Sequence, residues 1–309
     1  MLDFLTAPSF PKAAIGFERG AVTALALRKE SGGFAVSQAA SVELPDTLLA
    51  SGFLDRNIAS VKELRVFIEE AITSAGLLNQ KKWSASLPGN TARSAIITME
   101  TAAAGKGEAE EIVDWKTEQA FGISINEMRV SRVKIAADSQ NRTRYFATAV
   151  KLSVLDEYES VFEGFGWDVG LVLPRAVSES KWLAKDSKTT DSILISLQAD
   201  GFTAVLLRDG EPNVVRTVTC TVSERDDEIY RLLMFYSDRF GGDSGTRALD
   251  RLLVVGPDLL PAKIKEISTE ALGRAIRILT PAEIGFSYPE GSFRFEDLAA
   301  PAGLASFGA

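Results

Sequence analysis

The chain has 309 residues, enough for two domains of ordinary size, each with its own core. Apolar residues make up 46% of it and charged residues 25%, and a formal net charge of −8 argues against nucleic acid as a partner. With no histidine and a single cysteine, Cys220, the sequence excludes histidine-based catalytic triads, histidine metal sites and any internal disulfide.

No run of 18 or more apolar residues occurs, so no membrane-spanning helix is expected. The opening Met1–Leu5 lacks the basic region and long apolar core of a signal peptide, and the expected compartment is the cytoplasm. A reducing compartment also suits one unpaired thiol, read here as a small core or surface side chain.

In chain order, Ala13–Phe17, Ala21–Leu27 and Phe34–Val42 read as a three-stranded meander, with Glu18-Arg19-Gly20 in the first turn. Ser60 and Glu63 form a capping box ahead of Val61, Leu64, Ile68 and Ile72 at helical spacing, and Gly76 closes that helix. Lys82–Leu87 is the next strand, stopped by Pro88-Gly89.

A second module follows: strand Ala92–Met99, connector Thr101–Gly107, helix Glu108–Phe121, strands Met128–Ala136 and Arg144–Val150, and helix Ser153–Phe165 with Ser153 and Asp156 as cap candidates. This βαββα order interrupts the first domain, which resumes with strand Asp168–Leu173 and helix Arg175–Leu183. Ala184–Lys188 is polar and aperiodic, a linker.

The meander then recurs as Ile193–Leu197, Phe202–Leu207 and Asn213–Val218, with Asp200-Gly201 and Asp209-Gly210 at the hairpin turns. A helix over Glu224–Phe240, closed by Gly241–Gly245, leads to strand Arg251–Val255, a helix near Leu259–Ile267 and a short strand at Arg277–Leu279. Phe295–Ser306 reads as a short terminal helix broken by Pro301.

A duplicated meander, each copy followed by helices and parallel-type strands, resembles the PilM-type pilus assembly proteins, relatives of FtsA. The likeness is carried by Ile15–Leu27, Glu110–Glu127, Ser153–Leu183, Glu228–Gly242, Leu249–Gly256 and Ala300–Ala305, in that order. It implies an α/β, actin-like (ribonuclease H-like) two-domain fold with an inserted βαββα subdomain and a reduced second lobe. The implied domains are 12–90 with 167–184, the insertion 91–166, and a second lobe 189–309 whose terminal helix packs back on the first domain.

The departures from the family pattern concern nucleotide chemistry. Phosphate loops of this superfamily use small residues whose amides approach phosphate, and an Asp that positions metal or water. The first loop here places Glu18, Gly20 and Ala21 where the family has Asp, Gly and a hydroxyl residue. The second reads Ser196-Leu197-Gln198 before Gly201, without acid or glycine at the expected places, and the adenosine loop keeps only Gly256, followed by Pro257. Only nine residues separate Val218 from Glu228, where the family carries helices that wall the adenine pocket. No catalytic residue, metal or cofactor is therefore expected, ATP with magnesium included.

The resemblance implies a cytoplasmic scaffold of a type IV pilus assembly platform, peripheral to the inner membrane. It would bind the cytoplasmic tail of a single-pass inner-membrane assembly protein beside the inserted subdomain. The alternatives are an active actin-like ATPase or kinase relative, and a cytoplasmic component of a type II secretion platform. Candidate interaction residues are Trp115 and the cations Arg129, Arg132, Lys134, Arg142 and Arg144, with Lys151 nearby, which concentrate positive charge on the insertion of an acidic protein and suit an acidic partner or anionic membrane surface.

Overall fold

The computed structural model describes residues 10–100, 105–184, 190–240, 248–257 and 259–309. The Met1–Leu5 tip, the Gly241–Gly245 helix stop, most of the Ala184–Lys188 linker and most of the Thr101–Gly107 connector lie outside them. The chain divides into two compact units, one of Met1–Thr91, Asp156–Lys181 and Pro281–Ala309, the other of Ala92–Leu155 and Trp182–Thr280.

In the first unit, strands β1 (Ala13–Glu18), β2 (Ala21–Glu30) and β3 (Gly33–Glu43) form the expected meander, and β4 (Lys82–Leu87) and β8 (Asp168–Pro174) add to it in parallel. The sheet order is β14-β3-β2-β1-β4-β8, where β14 is a two-residue strand, Phe286–Ser287, paired with Phe34 and Ala35 of β3. Two residues carry no periodicity, so sequence pattern offers no sign of β14.

Helix α1 (Val61–Ser74) begins as its capping residues require, with Ser60 Oγ accepting from the Glu63 amide at 3.2 Å. Helix α3 (Leu152–Glu163) starts directly after its preceding strand, so Ser153 and Asp156 lie inside the helix and do not cap it. Phe17 of β1 packs edge-on against Tyr158 and Phe162 of α3, at 5.3 and 6.0 Å between centroids.

The terminal helix α7 (Phe295–Ala305) runs unbroken through Pro301. It lies on β1, β2 and β4 and against α4 (Arg175–Ser180). A Cβ on Gly16 would come within 2.9 Å of the Pro301 ring, so the glycine is what lets the helix seat this close to the strand.

The second unit repeats the plan. Strands β9 (Asp191–Gln198), β10 (Gly201–Arg208), β11 (Glu211–Thr219), β12 (Leu249–Val255) and β13 (Arg277–Ile278) are ordered β11-β10-β9-β12-β13, with β12 parallel to both neighbours. The β10–β11 turn has Asp209 at φ 56° and Gly210 at φ 78°, the paired positive φ values of the hairpin turn that Asp-Gly favours. Helices α5 (Arg225–Phe240) and α6 (Pro261–Leu272) cover the sheet, with Ile229 and Leu233 meeting Ile264 and Ile267 over Ile195 and Phe202. Cys220 belongs to this core, and burial raises its thiol pKa.

The inserted module completes this unit as a three-stranded sheet, β5 (Arg93–Thr98), β7 (Arg144–Lys151) and β6 (Met128–Ile135) in the order β5-β7-β6, with helix α2 (Lys106–Phe121) on one face.

Asp191 anchors the start of β9. It is fully buried, accepting from Arg208 Nε at 3.2 Å and from the Tyr236 hydroxyl at 2.9 Å. Burial, with the carboxylate adding to it, pushes the Tyr236 phenol far above its ordinary pKa. Asp191→Ala removes the buried carboxylate to which Arg208 and Tyr236 both donate and is expected to destabilise the protein by about 3–5 kcal/mol, read as a lower urea midpoint at unchanged slope.

Candidate functional site

Open α/β sheets present ligands at the carboxyl ends of their parallel strands. In the first unit β1, β4 and β8 run parallel, so Glu18 at the end of β1 and Arg175, the residue after β8, emerge on the same edge. Arg175 Nη1 meets Glu18 Oε2 at 2.7 Å, and its Nε donates to Glu179 Oε1 at 2.7 Å, one helical turn on. A third donation, from Nη2, goes to the Glu296 carbonyl of α7 at 3.4 Å.

Burial by itself disfavours the Arg175 charge, and the Glu18 and Glu179 carboxylates more than offset it, so its pKa is raised. For Glu18, desolvation is the larger influence and raises the pKa, with Arg175 pulling it down. The acid at the first-loop position is thus engaged by a guanidinium, and Ala21 beside it offers no hydroxyl. Gly20 has open space around it, with nothing within 4 Å of where a Cβ would stand.

The matching edge of the second unit is closed by packing. β9 and β12 are parallel, and their ends bring Leu197 against Gly256: a Cβ on Gly256 would lie 2.5 Å from Leu197 Cβ, and Gly256 has φ 132°. Ser196 is buried, and its hydroxyl has no hydrogen-bond partner among the described residues. The Gln198 side-chain amide donates to Thr203 Oγ1 at 2.9 Å, and the Gln198 backbone carbonyl accepts from Arg225 Nη2 at 3.3 Å. Gly201, at φ 143°, is pressed against the Val218 carbonyl, 1.9 Å from a notional Cβ.

At these positions the Glu18 carboxylate is taken by an arginine, Gly256 and Gly201 pack against Leu197 and the Val218 carbonyl, Gly20 is open, and Pro257 has no amide to donate.

The inserted sheet distributes the candidate interaction residues. Alternation and cross-strand register place Arg132, Ala147 and Ala95 on the face that meets α2, where Arg132 pairs with Asp114 and Arg93 donates to the Phe121 carbonyl. Lys134 shares that face and is exposed, whereas Arg129 is exposed on the other. Arg142 is held by Asp138, Nε to Oδ2 at 2.7 Å, and Arg144 is buried, donating to the Asn213 carbonyl at 3.1 Å. The cations therefore do not form one patch. Trp115 stands on the outer side of α2, 58% exposed, between Asp114 and Lys116, which turn away to Arg132 and Glu100.

The residues that close both strand edges were not evident from sequence. Arg175 and Glu179 form a visible i,i+4 charge pair, but their partner Glu18 is remote in the chain, and nothing in the order of residues pairs Leu197 with Gly256.

No protein-family model matches the chain, and no curated protein matches it. Among solved structures, that of a PilM-PilN type IV pilus biogenesis complex aligns at TM-score 0.75 and 16% identity, over 97% of this chain and 99% of that one. A Bacteroides thetaiotaomicron protein with an actin-like ATPase fold and unknown function aligns at TM-score 0.51 and 8% identity, over 97% and 98%. At such identities what is shared is the fold: this chain has the actin-like fold, and its likeness to PilM-type proteins extends to the backbone along almost its full length.

Arg175→Ala removes the cation that joins Glu18 to Glu179 and is expected to cost about 3–5 kcal/mol in urea unfolding. Arg175→Lys recovers part of that loss, because one ammonium does not replace the two separately aimed guanidinium contacts.

Proposed function

We propose that this chain is a non-hydrolytic scaffold of a type IV pilus assembly platform. It works at the cytoplasmic face of the inner membrane, where it binds the cytoplasmic tail of a single-pass assembly protein. The observation that carries this reading is the backbone match to a PilM captured with PilN, together with the exposed Trp115 on the inserted subdomain. A large aromatic left in solvent is the residue type that most often anchors a protein interface. Exposed Arg129 and Lys134 on the same subdomain add charge for docking near an anionic leaflet.

The engaged Glu18 and the Leu197–Gly256 contact support a protein that works without nucleotide turnover. Such a scaffold needs the fold as a rigid support, and peptide docking makes no demand on phosphate loops.

Synthetic peptides copying the amino-terminal tails of single-pass pilus membrane proteins, titrated into the full chain, are expected to bind saturably. Trp115→Ala should weaken that binding by about 2 kcal/mol or more, roughly thirtyfold, as loss of an interface anchor does. Absence of saturable binding by any tail would remove the scaffold reading. Separately, Mg-ATP is expected to leave the thermal midpoint unchanged, whereas binding at a hundredfold excess over Kd would add about 2.7 kcal/mol and raise it measurably.

A further inference from the structure

Within the second unit, a groove of about 740 Å³ runs between the α2-free face of the inserted sheet and the β10–β11 turn. Its size falls within the roughly 300–1,000 Å³ typical of ligand clefts. The register that puts Arg132 under α2 puts Ile96, Thr98, Ile135 and Arg144 on the opposite face, and all four line the groove. The facing wall includes Arg208, Pro212 and Val214, and the end of α5 contributes Arg239 and Phe240.

Four guanidinium groups line the groove beside three carboxylates, Asp138, Asp209 and Glu211, an excess of positive charge in a protein of net charge −8. Arg142 is neutralised by Asp138, and Arg208 pairs with Asp191 while lying 4.7 Å over the Phe240 ring. The other two have no carboxylate at ion-pair distance among the described residues. Arg144 is only 7% exposed, and the one acceptor it reaches is the Asn213 carbonyl. Arg239 is exposed and rests 5.9 Å from the Phe235 and Phe240 rings.

Burial lowers the Arg144 pKa, and repulsion from Arg239 and Arg142 adds to that effect against the pull of Asp138 and Glu211. A buried guanidinium without an anion is costly, and a neighbouring like charge compounds the cost. An incoming carboxylate would relieve both.

We propose that this groove is a second docking site, taking an extended acidic peptide segment of a partner protein with a carboxylate side chain seated between Arg144 and Arg239. The cleft is much larger than a free inorganic anion needs, and its Ile96, Ile135, Val214 and Phe240 side chains give apolar footing to residues flanking the acid. Clustered arginines beside apolar pockets are the usual means of reading acidic motifs.

The test uses the full-length chain and a fluorescein-labelled acetyl hexapeptide alternating leucine with glutamate, followed by anisotropy at moderate salt. Saturable binding is expected, and the same peptide with glutamine in place of glutamate should bind at least about tenfold more weakly. Arg239→Glu, at an exposed position that spares the fold, should weaken binding at least about tenfold, and Arg144→Gln should act in the same direction. Lys134→Glu and Trp115→Ala, both on the α2 side of the sheet, should leave it within about twofold, which separates this site from the tail-binding reading. Equal weakening by Arg239→Glu and Lys134→Glu, equal binding of the glutamine peptide, or no saturable binding while inorganic phosphate binds would each overturn the proposal.

Discussion

Both units are built around a first strand that must be hydrogen-bonded on each side because all but its last residue is buried. β1 and β9 each pair antiparallel with the next strand of their meander and parallel with a strand brought in by a crossover, β4 or β12. That mixed pairing fixes which end of each sheet collects the strand termini. It places Glu18 near Arg175 in one unit and Leu197 against Gly256 in the other. The two closures are physically unlike, an ion pair and an apolar contact, yet they occupy the same topological position in a duplicated plan.

That position is where sheets of this type hold ligands. A site there needs backbone amides open to solvent and an acid free to orient metal or water. Here Glu18 pairs with a buried arginine, and Gly256 is packed against the Leu197 side chain. A buried ion pair adds little net stability over apolar residues of the same shape, but it cannot be broken cheaply once present.

Much of the architecture was legible because it rests on local rules. The Asp209-Gly210 hairpin, the Ser60 cap and the apolar runs of both meanders are short-range signals, and each appears where the residues put it. Pro301 is instructive in the other direction. A proline inside a helical pattern suggests a break, but its ring fits the space left by Gly16, and the helix continues through it. The basic residues of the insertion were visible as a cluster in the sequence, but strand alternation sends them to two faces, and salt bridges consume Arg132 and Arg142.

The sequence by itself determined the element order, the duplication of the meander and the absence of histidine chemistry, because these follow from composition and near-neighbour patterning. It also displayed Glu18, Ala21 and Leu197 as departures from the pattern of the family it resembles. Only the tertiary structure decided that Glu18 meets Arg175 and Leu197 meets Gly256, that Trp115 stands in solvent, and that Arg144 is buried in a groove with Arg239 beside it. The reason is distance along the chain: side chains that meet through parallel pairing or sheet register are separated by whole elements, and no local pattern records which of them will touch.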